Sequence, residues 1–164
     1  MYNAAPTFTL TLDAARELLI ERPDLLARLA CWAGPDPVRV MNPGDVARIV
    51  TPLIGAADVE NLVVVTLDAR SRVLGTTVLT IGSAEHTVFP IAGILRHVLT
   101  YPTARAFVVS HNHPSGDSTP SREDIAVTDR LRDACSVVGL ALHDHVIVTS
   151  GGTWTSLASS GYLS

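Results

Sequence analysis

The sequence predicts an α/β fold, a three-layer-like sandwich of a mixed β-sheet flanked by helices, with a helical extension at the N-terminus. Three observations carry this. From about residue 56 onward, β-branched runs alternate with segments of helical periodicity in the order β-β-α-β-α-β-β, which lays helices over a sheet. The 164 residues are 47% hydrophobic and 17% charged, with mean hydropathy +0.30, a balance that buries one good core and argues against disorder. No apolar run approaches the roughly 20 residues that cross a bilayer.

Residues 9–33 carry apolar side chains at helical spacing, with Thr11 or Asp13 as N-cap. Pro23 splits them into two short helices, because a proline inside a helix removes a hydrogen bond. "GPDP" at 34–37 is a turn. In "NPGDVARIVTPLIG", residues 42–55, Asn42 caps a helix, Pro43 takes its first position and Gly55 stands near its end. The predicted division is therefore a helical extension, 1–41, packed on the same core as a domain at 42–164.

Within that domain "NLVVVTLDARSRVLGTTVLTIGS" reads as two strands joined by the hairpin "DARSR". A helix follows over roughly 90–100, stopped by Pro102. "RAFVVSHNH" is a strand, and "PSREDIAVTDRLRDACSVVGL" an amphipathic helix ending at Gly139. "ALHDHVIVTSGG" is a strand closed by a Gly-Gly turn, and "TWTSLASSGYLS" a short last strand and tail.

The N-terminus has no basic stretch followed by an apolar core and cleavage site, so no signal peptide is expected. Cys31 and Cys135 sit in helix-like apolar patterns without CxxC spacing and read as buried small hydrophobes in a reducing compartment, which implies the cytoplasm. The net charge is −4, and all twelve basic residues are arginines, scattered along the chain. A basic face of the kind that neutralises phosphates is not evident, which weighs against nucleic-acid binding.

The chemistry concentrates in "SHNHPSGDSTPSREDI", Ser110 to Ile125. If the strand continues through His111 and His113, their side chains share a face and can grip one ion. A hydrogen-bonded pair at a strand end accounts for them equally well. Asp124 lies in the first turn of the following helix, where a strand–loop–helix unit can return it over the histidines. Two imidazoles and a carboxylate leave an open fourth position on a tetrahedral zinc, the arrangement of catalytic sites. Against this, Ser121 and Asp124 also form a capping box, in which neither residue does chemistry.

The spacing His-x-His, seven residues, Ser, two residues, Asp is met by His111, His113, Ser121 and Asp124. It resembles the JAMM motif of the JAB/MPN metalloprotease family, whose fold is cytidine-deaminase-like. "HNHPSGDSTPSREDI" is similar to its RadC-like branch, over roughly residues 42–164. The resemblance implies one Zn²⁺ per chain on His111, His113 and Asp124. It also implies a general base before the first strand, where Glu60 stands; Glu85, the rival by type, falls in a variable turn. Ser121 would hydrogen-bond an oxyanion, unless its hydroxyl is spent on the cap. "HDHV" matches as well, with Asp144 and His145 as supporting groups and Asp144 a candidate to orient a ligand imidazole. His143, in step with His145, lacks a carboxylate set for a second metal, and His86 and His97 read as surface or helix-face residues.

RadC-like sequences run "hPRE" after the second strand, whereas here Pro90 is followed by Ile91-Ala92-Gly93. No helix-hairpin-helix segment of the RadC kind is read in these residues, and 1–40 resemble no known family. The implied activity is hydrolysis of an amide or isopeptide bond in a protein or peptide, including ubiquitin-like tails. The alternatives are a DNA-transaction accessory of the RadC type and a non-catalytic MPN binding module. HExxH and PCxxC zinc motifs and a G-x-S-x-G elbow are absent from the sequence.

Overall fold

The computed structural model describes residues 38–80 and 89–163. The expected helices of 9–33, the turn at 34–37, Cys31, Glu85 and His86 lie outside the described residues.

The elements run α1 (Pro43–Ile54), β1 (Asn61–Leu67), β2 (Val73–Thr80), α2 (Ile91–Val98), β3 (Ala106–Asn112), α3 (Arg122–Val138), β4 (Ala141–Val148) and β5 (Trp154–Ser156). From residue 56 this is the expected order. The strands form one five-stranded mixed sheet, β2-β1-β3-β4-β5, in which only β3 and β4 are parallel. That parallel step is the one joined through a helix, α3, as a parallel connection requires.

Side-chain alternation builds two cores. Val63, Val65 and Leu67 of β1 pack with Val46, Ala47, Val50 and Ile54 of α1. Leu62 and Val64 face the other way, toward Ile94 and Val98 of α2 and Leu131 and Cys135 of α3. The result is a helix–sheet–helix sandwich. Each fully buried Val, Leu or Ile contributes about 1.5–3 kcal/mol, so the two cores, rather than any polar contact, hold the strand ends in place.

The helix signals act as read. Asn42 caps α1 by accepting from the Asp45 N–H, and Ser121 caps α3 by accepting from the Asp124 N–H. Gly139 ends α3 in the left-handed region, φ 72°, where a side chain would be strained. The β1–β2 turn closes on the Asp68 carboxylate, which accepts from the N–H groups of Arg70 and Arg72.

One irregularity matters for the site. Phe107 pairs with Leu142, but Val108 pairs with Asp144, so His143 is an extra residue bulged out of β4. Leu142 faces α2 and α3, and simple alternation would send Asp144 the same way. The bulge hands that face to His145 instead.

Candidate metal centre

Strand β3 is buried along its whole length. Its first four residues are apolar and its last three, Ser110, His111 and Asn112, are polar yet 0–1% exposed. Buried polar groups need partners, and these have them. Past the strand end, His113 donates its backbone N–H to Val148 and stays in line with β4. The chain then reverses through Pro114-Ser115-Gly116, with Gly116 at φ 83° and its N–H returned to the His113 carbonyl.

This strand–turn–helix unit brings three ligand-type side chains together. His111 Nε2 lies 2.9 Å from His113 Nε2 and 3.2 Å from Asp124 Oδ1, and His113 Nε2 lies 3.5 Å from Asp124 Oδ2. The group is able to hold a metal ion. The second Asp124 oxygen is held from behind: Oδ2 accepts from the Ser121 N–H at 2.9 Å and the Ser121 hydroxyl at 2.6 Å. Cap and ligand therefore coexist on one carboxylate: Oδ1 faces His111, while Oδ2 carries the cap and also stands near His113. The single hydroxyl proton of Ser121 is directed at Asp124 Oδ2, whereas the resemblance implied an oxyanion as its partner unless the hydroxyl is spent on the cap.

Electrostatics agree with the packing. Burial pushes His111 down to about 4, against the attraction of Asp124. His113 is held above its ordinary value, chiefly by its hydrogen bond with Asp124. Burial would raise the Asp124 carboxyl, but His113, His111 and the Ser121 donors outweigh it and hold the carboxyl well below its usual range. Buried His145 is pushed strongly down.

Glu60 is half-buried, one residue before β1. The β1–β3 ladder ends with Leu62 paired to His111, which leaves Glu60, two residues before Leu62, at the histidine end of β3. Its negative charge raises both imidazoles. The segment carrying it is tied to the site by Asn112, whose side chain points to the opposite side from the two histidines. The Asn112 carboxamide accepts from the Asn61 N–H at 2.7 Å and donates to the carbonyls of Ala57 and Val59 at 3.2 and 3.0 Å.

The expected contact between Asp144 and an imidazole is not made. The β4 bulge turns Asp144 to the α1 face, where it accepts from the His145 N–H, the Ser156 hydroxyl and the Ala158 N–H and fastens the C-terminal turn. His145 takes the position instead: its Nε2 is 2.8 Å from His111 Nδ1. His143 is exposed, in keeping with its place in the bulge, and His97 of α2 stacks edge-on to Tyr101 beyond the helix end. Phe89, packed edge-on against both His111 and His145, supplies an apolar wall. Phe89, Asn112 and Thr128 were not singled out by the sequence; for Thr128 a signal existed, since it stands one helical turn after Asp124.

Fold and cluster together define an α/β sandwich domain that carries a His-His-Asp metal-type group at the end of its central strand. The chain belongs to the RadC-like JAB domain family, whose model matches residues 40–162. Similar proteins include a UPF0758 protein of Methanospirillum hungatei, 37% identical over 142 residues, which covers 85% of this chain and 62% of the relative. A UPF0758 protein of Clostridium botulinum is 32% identical over 126 residues, 77% of this chain and 54% of the relative. One from Moorella thermoacetica is 36% identical over 124 residues, 76% and 53% respectively. The chain thus spans little more than half the length of these relatives. Among the described residues, no helix is long and apolar enough to cross a membrane.

Proposed function

We propose that this chain is a zinc-dependent hydrolase that cleaves an amide or isopeptide bond in a protein or peptide substrate. The observation that carries the reading is the spacing of the three donors. Ligand atoms on a tetrahedral zinc with bonds of about 2.0–2.1 Å stand roughly 3.3 Å apart. The two Nε2 atoms stand 2.9 Å apart and His111 Nε2 stands 3.2 Å from Asp124 Oδ1, both near that value, and all three donors lie within 4.8 Å of one another. Nitrogen and oxygen donors with no cysteine sulfur among them suit a catalytic rather than a structural ion.

A zinc ion held by His111, His113 and Asp124 would supply Lewis acidity at its open position, making water acidic near neutral pH. The remaining work falls to the chain. Glu60, beside His113 and not one of the three donors, accepts the proton of the attacking water and returns it to the leaving amine. Ser121 holds Oδ2 of Asp124 so that Oδ1 stays turned toward His111. Phe89 keeps one side of the imidazoles dry, which strengthens each electrostatic contact.

The test is a pair of measurements on the full chain. Glu60→Gln is expected to keep zinc at wild-type stoichiometry while losing hydrolysis of a fluorogenic isopeptide-linked lysine substrate. His113→Ala is expected to lose both. Full zinc occupancy in His113→Ala would remove the assignment, as would undiminished turnover in Glu60→Gln.

A further inference from the structure

We propose that Thr128 is a positioning residue that sets the ring tautomer of His111 through His145, and so presents a bare Nε2 to the ion. The proposal rests on the metal reading above, although its first test needs no metal.

The Thr128 hydroxyl lies 2.6 Å from the main-chain carbonyl oxygen of Asp124 and 2.6 Å from His145 Nδ1. A carbonyl only accepts, and a hydroxyl has a single proton. That proton therefore points at Asp124, and Thr128 must accept from His145, which places a proton on His145 Nδ1.

His145 is fully buried, and the hydrogen-bond partners of its two ring nitrogens, a hydroxyl and another imidazole, are not anions. A neutral imidazole carries one proton, so with Nδ1 protonated, Nε2 is an acceptor. His111 Nδ1, at 2.8 Å, must then be the donor. One proton on Nδ1 leaves His111 Nε2 bare, and Nε2 is the atom that faces His113 and Asp124. With both rings neutral, each step has one solution once the carbonyl is taken as the fixed end.

His113 needs no relay to place a proton on Nδ1, since that atom lies 2.7 Å from the Asp117 carbonyl oxygen and donates to it directly. The two histidines are thus set by independent devices. The relay also begins on the residue that supplies the third donor: Asp124 offers its side chain to the ion and its carbonyl to Thr128. The first turn of α3 governs both.

The test is long-range proton–nitrogen correlation of the histidine rings in the metal-free full chain, followed by zinc titration against a chelator. The wild type is expected to show the proton on Nδ1 of both His145 and His111. Thr128→Val, similar in shape but without a hydroxyl, is expected to mix the tautomers of these two rings, leave His113 unchanged, and weaken zinc binding about 10–100-fold, the usual effect of losing a group that orients a ligand. Thr128→Ser is expected to restore both readouts, which separates the hydrogen bond from packing. A proton on His145 Nε2 in the wild type would overturn the relay whatever the metal does. So would a Thr128→Val chain with wild-type ring signals and zinc affinity, or a Thr128→Ser chain as impaired as Thr128→Val. A chain with the expected tautomers that binds no zinc would overturn the metal reading and the purpose assigned to the relay.

Discussion

Two helices of this protein begin with the same device and put it to different use. At the start of α1, Asn42 accepts from the Asp45 N–H, and Asp45 Oδ2 accepts from the N–H groups of Met41 and Asn42 at 2.8 and 3.1 Å. At the start of α3, Ser121 accepts from the Asp124 N–H, and Asp124 Oδ2 accepts from the N–H and hydroxyl of Ser121. The difference lies in the other carboxylate oxygen. Asp45 Oδ1 meets Arg48, one turn along its own helix. Asp124 Oδ1 meets His111, at the end of the central strand. A capping box uses one oxygen, and what stands across from the second decides whether the residue only starts a helix or also serves a site.

The sharpest way to break this comparison is to remove each carboxylate in turn. Asp124→Ala is expected to abolish zinc retention, a larger effect than the roughly 10–100-fold that follows loss of an orienting partner. Asp45→Ala should leave zinc stoichiometry untouched. Metal analysis of the two purified variants checks both. Next in size, Glu60→Gln is expected to lower turnover by about 10²–10⁴-fold, the range of a general base, at unchanged zinc content.

Asn112→Ala comes third. It removes three hydrogen bonds to residues 57–61; the Val59 carbonyl keeps the Asn61 carboxamide, while the Asn61 N–H and the Ala57 carbonyl lose a partner, at about 1–3 kcal/mol for a group left buried and unpaired. The expected result is faster amide exchange in that segment and a smaller fall in turnover than Glu60→Gln gives, with zinc retained. Unchanged exchange would show that Asn112 does not anchor the Glu60 segment.

The smallest effect is on stability. Loss of the Asp45 cap should cost about 1 kcal/mol in denaturant unfolding. Its pH dependence has a definite sign. The Met41 N–H, with Asn42 and Arg48, holds the Asp45 carboxyl below its ordinary 3.8 against the cost of burial. The contribution is therefore present above pH 3.8 and is lost as the pH falls through the lower, folded value. The gap between wild type and Asp45→Ala should close in acid.

How far the sequence reaches depends on which contacts are local. His111, His113, Ser121 and Asp124 lie within fourteen consecutive residues, and one strand, one turn and one helix start bring them together, so spacing alone was informative. Glu60 is fifty-one residues before His111 and became a candidate only through the family resemblance; the β1–β3 pairing then carries it to the histidine end of β3. The exchange of Asp144 for His145 could not be read, because a bulge at His143 changes which residues face the site and no glycine or proline marks it. Asn112 and Phe89 were equally silent. An asparagine between two histidines and a phenylalanine before a proline gain their roles only from what the sheet and α3 place beside them.

The central claim is that His111, His113 and Asp124 hold one zinc ion with a position left open. X-ray absorption at the zinc edge, on the full chain loaded with one equivalent, tests it most directly. The account predicts about four nitrogen or oxygen neighbours at roughly 2.0–2.1 Å, with the outer-sphere signature of two imidazoles. A sulfur neighbour at about 2.3 Å, or zinc that stays equally bound in Asp124→Ala, would contradict it.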